Sequence, residues 1–371
     1  MSSQQSSDVV IVGGGVMGLF TALNLAEHGR SVAVIDSGRV WSEASAVNAG
    51  SLAAQNKLPP LVPYTLAAFD VWKALPERIG CDVDYHQTGG YKIATTPEEV
   101  TRLRAGLEAQ RRAGLPVRFM EPDEIHAETP WLSDAVLAAT WCPLDSFASP
   151  IRVGPGLHGT LARLGVAIAE NTQIRSIDAS AAAVRLETDA GEFRASQLVI
   201  AAGAWSGQVA AMLGSRVPVS LDVNMVSVTE PAPFVIGKIV THARGILTLK
   251  QVSNGTCLIG GGWQGTGSLD DRRKDIDLDQ IVHNLILANR VIPGLGPLHI
   301  VRSWAGYEGV SPDSLPYLGR LPGFDNVYMA ACARGGFTLG PLFGQLLGEL
   351  IVNGRTSMPI EAFHPGRFGN A

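Results

Sequence analysis

DVVIVGGGVMGLFTALNLAEHGRSVAVID, residues 8–36, reads as the opening βαβ unit of a mononucleotide-binding fold. Val9 to Val12 is a β-branched run of the kind that fills a buried parallel strand. Gly13, Gly15 and Gly18 follow it as G-x-G-x-x-G. The first glycine permits a tight turn, the second lets backbone N–H groups approach a pyrophosphate, and the third lets the helix pack on the strand. That helix is predicted from about Val16 to His28, with Leu19, Ala22, Leu23 and Ala26 at helical spacing and Gly29 as its stop. A second strand, Ser31 to Ile35, ends in Asp36, whose carboxylate is placed to accept ribose hydroxyls and to repel a 2′-phosphate. The pattern points to a dinucleotide and does not separate FAD from NAD.

A chain of 371 residues buries roughly three quarters of the surface its unfolded form would expose, enough for a large core or two domains. With 46% hydrophobic and 17% charged residues and a net charge of −5, it carries no basic footprint for nucleic acid or an anionic membrane. Cys81, Cys142, Cys257 and Cys332 lie far apart without a C-x-x-C, so neither a zinc nor an iron–sulfur site is expected. The cysteines read as reduced thiols of a cytoplasmic protein. Val9 to Ala26 is apolar enough to imitate a signal sequence, but its glycines, Asp8 and the uncharged stretch before it argue against that. No other stretch approaches the roughly 20 apolar residues of a membrane span.

Beyond Asp36, SGRVWSEASAVNAGSLAAQ is a loop of small residues whose backbone can approach a flat group, with Ser42, Ser45 and Asn48 offering hydrogen bonds at its edge. A proline-rich irregular stretch and then a helix are expected across Leu58 to Leu75. From Asp84 the pattern changes: Gln87 to Ala94 reads as a turn and a strand, and Pro97 to Gly114 as a charged amphipathic helix packed on a sheet. Ile151 to Leu164 is a predicted helix. Val166 to Glu170, Gln173 to Ile177, Ala183 to Thr188 and Glu192 to Ala195 are expected to form a small meander that feeds a buried strand, Gln197 to Ala202, ending at Gly203-Ala204-Trp205. Val217 to Trp263 is strand-rich, Leu278 to Val291 a helix, and His299 to Trp304 and Asn326 to Ala333 are further strands. The last helix ends near Asn353 with Pro341 early in it, and its N-terminus is a second positive dipole end.

The GGGVMG start, the loop SEASAVNAGS, the strand LVIAAGAWS, the segment WAGYEGVSPDSLPYLG and the terminal RGGFTLGPLFGQLLGELI, in that order, resemble the FAD-dependent amine and amino-acid oxidoreductases. That group includes glycine oxidase, D-amino-acid dehydrogenase and sarcosine oxidase, and the likeness spans nearly the whole chain. It implies a Rossmann-like α/β FAD-binding domain with a parallel sheet over residues 1–84, 147–218 and 303–371. A substrate domain on a large mixed or antiparallel sheet would occupy 85–146 and 219–302. By the same resemblance Gly13, Gly15 and Gly18 hold the pyrophosphate and Asp36 the adenosine ribose. Ser45, Asn48, Ala49, Gly50 and Ser51 line the isoalloxazine, and Ile174 lies by the adenine. Gly203 and Trp205 flank the dinucleotide, and Gly335, Gly336, Phe337, Thr338 and Leu339 touch the flavin pyrimidine edge. Val16, Met17, Ser37, Leu52 and Ala202 are further implied contacts. Arg334 and the Pro341 helix would stabilise negative charge on a reduced flavin.

Two departures stand out. Many relatives read W-A-G-x-R-P where this chain has Trp304-Ala305-Gly306-Tyr307-Glu308-Gly309, so the arginine expected to clamp the substrate carboxylate is replaced by Glu308. The usual histidine-containing glycine turn is replaced by Ala331-Cys332-Ala333-Arg334. Such changes resemble the catalytic β subunits of hetero-oligomeric dehydrogenases that act on cis-4-hydroxy-D-proline, on opines or on sarcosine. Carboxylate binding is then expected from Arg302, Tyr307, Lys250 or Arg244, with His242 and His283 as packing or surface residues. The expected reaction is hydride transfer from an amino or imino acid to FAD, with partner subunits carrying the electron acceptors, among them a second flavin (FMN) at a subunit interface or an iron–sulfur cluster. The competing readings are an oxygen-using oxidase of the glycine oxidase type and a flavin-containing assembly subunit without catalysis. A tRNA-modifying flavoprotein is disfavoured by the acidic charge balance. A cytoplasmic location, or one peripheral to the inner membrane through partners, follows from the same resemblance.

Overall fold

Val9, Val10, Ile11 and Val12 form the interior of one strand, Gln4–Val12, and the two-residue period of a strand divides them between two cores. Val9 and Ile11 face a core shared with the helices Val16–Glu27, Val62–Ile79 and Gly336–Asn353, while Val10 and Val12 face one built with the strands that follow residue 173. The next strand, Val32–Ile35, divides the same way: Val32 and Val34 to the helices, Ala33 and Ile35 to the other layer. A strand covered on both faces has no place for polar side chains, which is why both runs are apolar throughout. The computed structural model describes residues 4–233, 236–331 and 334–369. Cys332 and Ala333, half of the altered turn noted above and the end of the expected Asn326 to Ala333 strand, lie outside the described residues.

The first sheet runs, in order, Ile174–Ala179, Val184–Thr188, Gly191–Ile200, Gln4–Val12, Val32–Ile35 and Ala167–Ala169; Val327–Ala331 joins Gly191–Ile200, and Tyr317–Arg320 joins Val327–Ala331. Two expectations need correction here. Ala167–Ala169, placed with the meander on sequence, pairs instead parallel to Val32–Ile35 at the far edge. The helix Pro150–Arg163 precedes it, and a strand delivered by a helix arrives parallel, whereas the true meander strands are joined by short turns and pair antiparallel. The segments Glu192 to Ala195 and Gln197 to Ala202 are one continuous strand, Gly191–Ile200, whose first half pairs with the meander and whose last residues pair with Val327–Ala331.

The second sheet has eight strands, in the order Ile300–Val310, Ser220–Thr229, Cys257–Gln264, Thr248–Gln251, Ile239–His242, Gly90–Ala94, Ala138–Cys142 and Arg118–Met120. It is antiparallel except where Ile239–His242 meets Gly90–Ala94. The helix Leu278–Val291 buries Ile281, Asn284, Ala288 and Val291 towards it. Ile300–Val310 pairs with Ser220–Thr229 over nearly its whole length. The expected boundary at residue 303 therefore falls inside a strand, and we place it after Val310.

The helices Val16–Glu27 and Gly336–Asn353 are in close contact, and glycines make that contact possible. A Cβ on Gly340 would meet Val16 Cγ2 at 2.6 Å, one on Gly344 would meet Phe20 Cβ at 2.6 Å and the Thr21 backbone N at 2.7 Å, and one on Gly348 would collide with Asn24. At four-residue spacing these glycines form a groove along one face of the last helix, into which the first helix settles. Gly344→Ala is expected to lower stability by about 1–3 kcal/mol through overpacking. Gly106→Ala, in the exposed helix Pro97–Arg112 where an added Cβ meets nothing within 4 Å, is expected to raise it by up to about 1 kcal/mol. Urea denaturation midpoints of both variants check the pair of opposite signs.

Candidate cofactor and active site

The turn after the first strand is built so that its backbone, not its side chains, forms a cavity floor. A Cβ on Gly13 would strike the Ala201 carbonyl and one on Gly18 would strike the Gly13 carbonyl, so strand, turn and helix are in backbone contact. Gly15 meets only Ser45 Oγ, at 3.2 Å. Asp36, at the end of the second strand, closes the turn from the side: its Oδ2 accepts from Gly14 N and its Oδ1 from Gly38 N, both at 2.8 Å. Burial raises the Asp36 pKa, and these two amides oppose the rise.

A cavity of about 640 Å³ extends from this turn to the start of the last helix, walled by both sheets. Of the residues expected on sequence to hold a cofactor, Gly13, Gly15, Val16, Met17, Asp36, Ser37, Ser45, Asn48, Ala49, Gly50, Ser51, Ile174, Ala202, Gly203, Trp205, Arg334, Gly335, Gly336 and Phe337 line it. Gly18, Leu52, Thr338 and Leu339 do not line it. Gly18 sits beneath the turn, Leu52 and Leu339 are buried in the helical core, and Thr338 is buried in the last helix, where its carbonyl accepts from Trp72 Nε1 at 2.9 Å. The Thr338 hydroxyl is buried with no partner among the described residues.

The polar side chains of the loop Ser42 to Ser51 bond to groups of the protein itself. Ser45 Oγ accepts from Val16 N at 2.8 Å and so caps the first helix from a distance. Asn48 donates to Ala44 O and Ser45 O and accepts from Gly50 N, and Ser42 donates to Arg39 O. These three side chains line the cavity while making hydrogen bonds to nearby backbone groups, which satisfies amides and carbonyls that the irregular loop leaves without regular partners.

At the other end of the cavity the wall is charged. Lys57, Lys92, Glu308, Arg334 and Asn224 line it. Lys57 Nζ donates to Gly335 O at 3.3 Å; burial pulls its pKa down to about 8, with Glu308 and Asp145 pulling the other way. Lys92 Nζ donates to Gln55 O at 3.2 Å, and burial lowers its pKa against the attraction of Asp145. Asp145 lies behind them, raised to about 6 by burial and held by Ala54 N and Gln55 Nε2 at 2.7 and 3.1 Å. Glu308 Oε2 accepts from Asn224 Nδ2 at 2.7 Å, and Oε1 lies 3.4 Å from Gly335 N. Arg334 is ion-paired with Asp222.

None of the four expected carboxylate ligands offers a free cationic or hydroxyl group to this space. Arg302 and Arg244 are exposed and outside the wall; Arg302 occupies the outer end of its strand, before the segment that turns in to the cavity. Lys250 is fully buried behind the loop, donating to Ala49 O and to Ser51 Oγ, with a pKa driven down to about 7 by burial. Tyr307 does line the cavity, but its hydroxyl donates to the carbonyls of Ser268 and Arg273 at 2.8 and 2.6 Å. His242 is buried against Glu99, 3.1 Å away, and His283 stacks on Trp263. Sequence reading missed Lys57, Lys92 and Asn224. Lys57 is an isolated cation in QNKLPP and Lys92 one residue of a strand, and only the tertiary structure brings them to one wall.

The FAD dependent oxidoreductase family (DAO) matches residues 8–350. The chain belongs to this family. It is 32% identical to glycine oxidase of Geobacillus kaustophilus (strain HTA426), over 98% of each chain. It is 24% identical to one of the opine oxidase subunits of Rhizobium meliloti, over 97% of each. The crystal structure of L-proline dehydrogenase from P. horikoshii superposes with a TM-score of 0.87 at 27% identity, covering 99% of this chain and 98% of that one. This oxidoreductase therefore uses FAD and acts in amine or amino-acid oxidation. The cavity fits the cofactor: a side-chain-free glycine floor at one end and a charged wall carrying Lys57, Lys92 and Arg334 at the other. Among the described residues no helix is long and apolar enough to cross a membrane, and Cys81, Cys142 and Cys257 are free thiols.

Asp36 ties the turn to the wall through two amides, so Asp36→Ala is expected to weaken FAD binding roughly 10- to 100-fold. Asp36→Asn, which keeps one acceptor oxygen, is expected to lose less. Flavin retained after dialysis, read from absorbance and fluorescence, checks the order.

Proposed function

We propose that this enzyme oxidises the C–N bond of a D-amino or secondary amino acid, with cis-4-hydroxy-D-proline or D-proline favoured and opines or sarcosine next, as the catalytic subunit of a hetero-oligomeric dehydrogenase. The observation that carries the reading is the charged end of the cavity, where Lys57, Lys92 and Arg334 stand beside Glu308. A carboxylate entering there meets cations from three separate segments. Glu308, held by Asn224, is left to face the amino or imino nitrogen, which must lose its extra proton before oxidation. The resemblance to a subunit of an opine oxidase supports partner subunits as the route for electrons.

In this reading Gly13, Gly15 and the N-terminus of the first helix hold the pyrophosphate, Asp36 the ribose, and residues 48–51 and 335–337 the ring system. Bound FAD supplies the acceptor for the hydride that leaves the substrate carbon, and the product imine hydrolyses or cyclises in water. The protein's own residues bind the carboxylate at Lys57 Nζ and Arg334, orient the nitrogen towards Glu308, and exclude water by the apolar packing of Phe337 and Val47. A second reading, an oxygen-using amino-acid oxidase, is favoured by the 32% identity to a glycine oxidase.

A panel of cis-4-hydroxy-D-proline, D-proline, sarcosine, opines and glycine, assayed with a dye acceptor beside an oxygen electrode, separates the readings. Dye reduction with the cyclic imino acids and little oxygen uptake is expected; oxygen consumption driven by glycine supports the second reading. A flavin that no member of the panel bleaches under anaerobic conditions removes both.

Lys57 is charged below its pKa of about 8 and neutral above it, so carboxylate binding should be lost as pH rises. The expected kcat/KM profile falls above about pH 8 in the parent enzyme, and in Lys57→Arg that fall moves to higher pH. Lys57→Met is expected to lose roughly 10- to 100-fold in kcat/KM together with the alkaline fall. Arg302→Ala, outside the cavity, is the control and should leave the kinetics unchanged.

A further inference from the structure

The segment between Cys257–Gln264 and the helix Leu278–Val291 belongs to the second sheet by connection, yet it makes its contacts on the first. Thr266–Gly267 pairs with Lys274–Asp275 as a short antiparallel hairpin. Arg272 at its tip donates to Ser37 O through Nη1 at 3.2 Å and to Gln173 Oε1 through Nη2 at 3.1 Å. Its guanidinium carbon lies 5.9 Å from the Trp205 ring centroid. Trp205 Nε1 in turn donates to Leu269 O at 3.3 Å, and Lys274 is ion-paired with Glu43. The hairpin is anchored from its own side by the Tyr307 hydroxyl, which donates to both Ser268 O and Arg273 O.

Arg272 lines the cavity beside Asp36, Ser37, Gln173 and Trp205, at the end away from Lys57 and Glu308. Its backbone has a φ of 54°, a left-handed conformation that costs a non-glycine residue energy and that its contacts across the cavity mouth hold in place. The two hydrogen bonds use the guanidinium as a bidentate bridge, a geometry that a lysine ammonium cannot copy. The next residue, Arg273, carries the same charge but, among the described residues, its side chain pairs within the hairpin, with Asp275 at 2.6 Å.

We propose that Arg272 is an FAD-binding residue supplied by the second sheet: it closes the hairpin over the adenosine end of the cavity, so that the cofactor is gripped between the two sheets and leaves only when this bridge opens. The inference rests on FAD binding and on the cavity, and not on the choice of substrate, so a negative substrate panel leaves it standing.

The test measures FAD release from the holoenzyme by the rise in flavin fluorescence on dilution, together with the thermal midpoint of the apoprotein. Arg272→Ala is expected to release FAD about tenfold faster, the loss of one charge-assisted contact, with an apoprotein midpoint like the parent's. Arg272→Lys should recover less than half of the effect on a logarithmic scale, and Gln173→Ala should add little on top of Arg272→Ala because both open the same bridge. Arg273→Ala should release FAD at the parent rate. Parent-like release from Arg272→Ala overturns the proposal. So does equal acceleration by Arg273→Ala, which would mark a general charge effect, and so does a lowered apoprotein midpoint with no excess release, which would mark a structural role alone.

Discussion

The contact between the first and last helices is the constraint from which the site follows. Gly340, Gly344 and Gly348 remove the side chains that would hold Val16, Phe20 and Asn24 away, and the two helices come together although some 320 residues separate their sequences. Because they run side by side in the same direction, both N-termini open on the same cavity, each presenting the positive end of its dipole. Phe337, edge-on to Trp41 and tilted against Trp72, fixes the last helix at the point where its first turn becomes cavity wall. The buttress is completed by Trp72, fully buried, whose indole holds Thr338 O.

The far end of the cavity stores charge that burial would ordinarily remove. Lys57, Lys92 and Asp145 all have their pKa values displaced towards the neutral form by loss of water, and the protein offsets this with carbonyls, amides and mutual attraction rather than with solvent. Such an arrangement is costly for stability and is commonly retained where a charge must act on something bound. Lys250 is the contrasting case. It is more deeply buried than Lys57, but its ammonium group is consumed by the backbone of the loop that forms the cavity floor, which gives it a supporting part in holding residues 49–51.

The same division of labour runs through the rest of the site. Ser42, Ser45 and Asn48 keep the small-residue loop folded, and Asp36 keeps the glycine turn closed. Groups that reach into the open part of the cavity are longer side chains delivered from elsewhere: Lys57 from the stretch before a helix, Lys92 from the middle of the second sheet, Glu308 from its edge strand and Arg272 from a hairpin. The charged end of the cavity is thus assembled from the second sheet and from the segment before a helix, over a glycine platform made by the first sheet.

Much of the platform was legible in the residues alone, because its requirements are local. A strand buried on both faces must be apolar at every position, and a turn in contact with a neighbouring backbone must be glycine; Val9 to Gly18 states both in ten letters. The strand Ala167–Ala169 was misplaced because three apolar residues, Ala167, Ile168 and Ala169, carry no sign of which neighbour they will pair with. Arg302 and Lys250 were expected in the site because they stand on strands near the right motifs. Period and spacing say which face of a strand a residue occupies, but not how far along the strand the cavity begins or what a neighbouring loop will claim. By itself, then, the chain determined the glycine turn, the two helix N-termini and the acid at Asp36, since each is a demand of backbone geometry on adjacent residues. Only the tertiary structure decided which charges line the cavity and that Arg272 crosses from one sheet to the other, because those depend on burial and on contacts between segments that sequence distance does not relate.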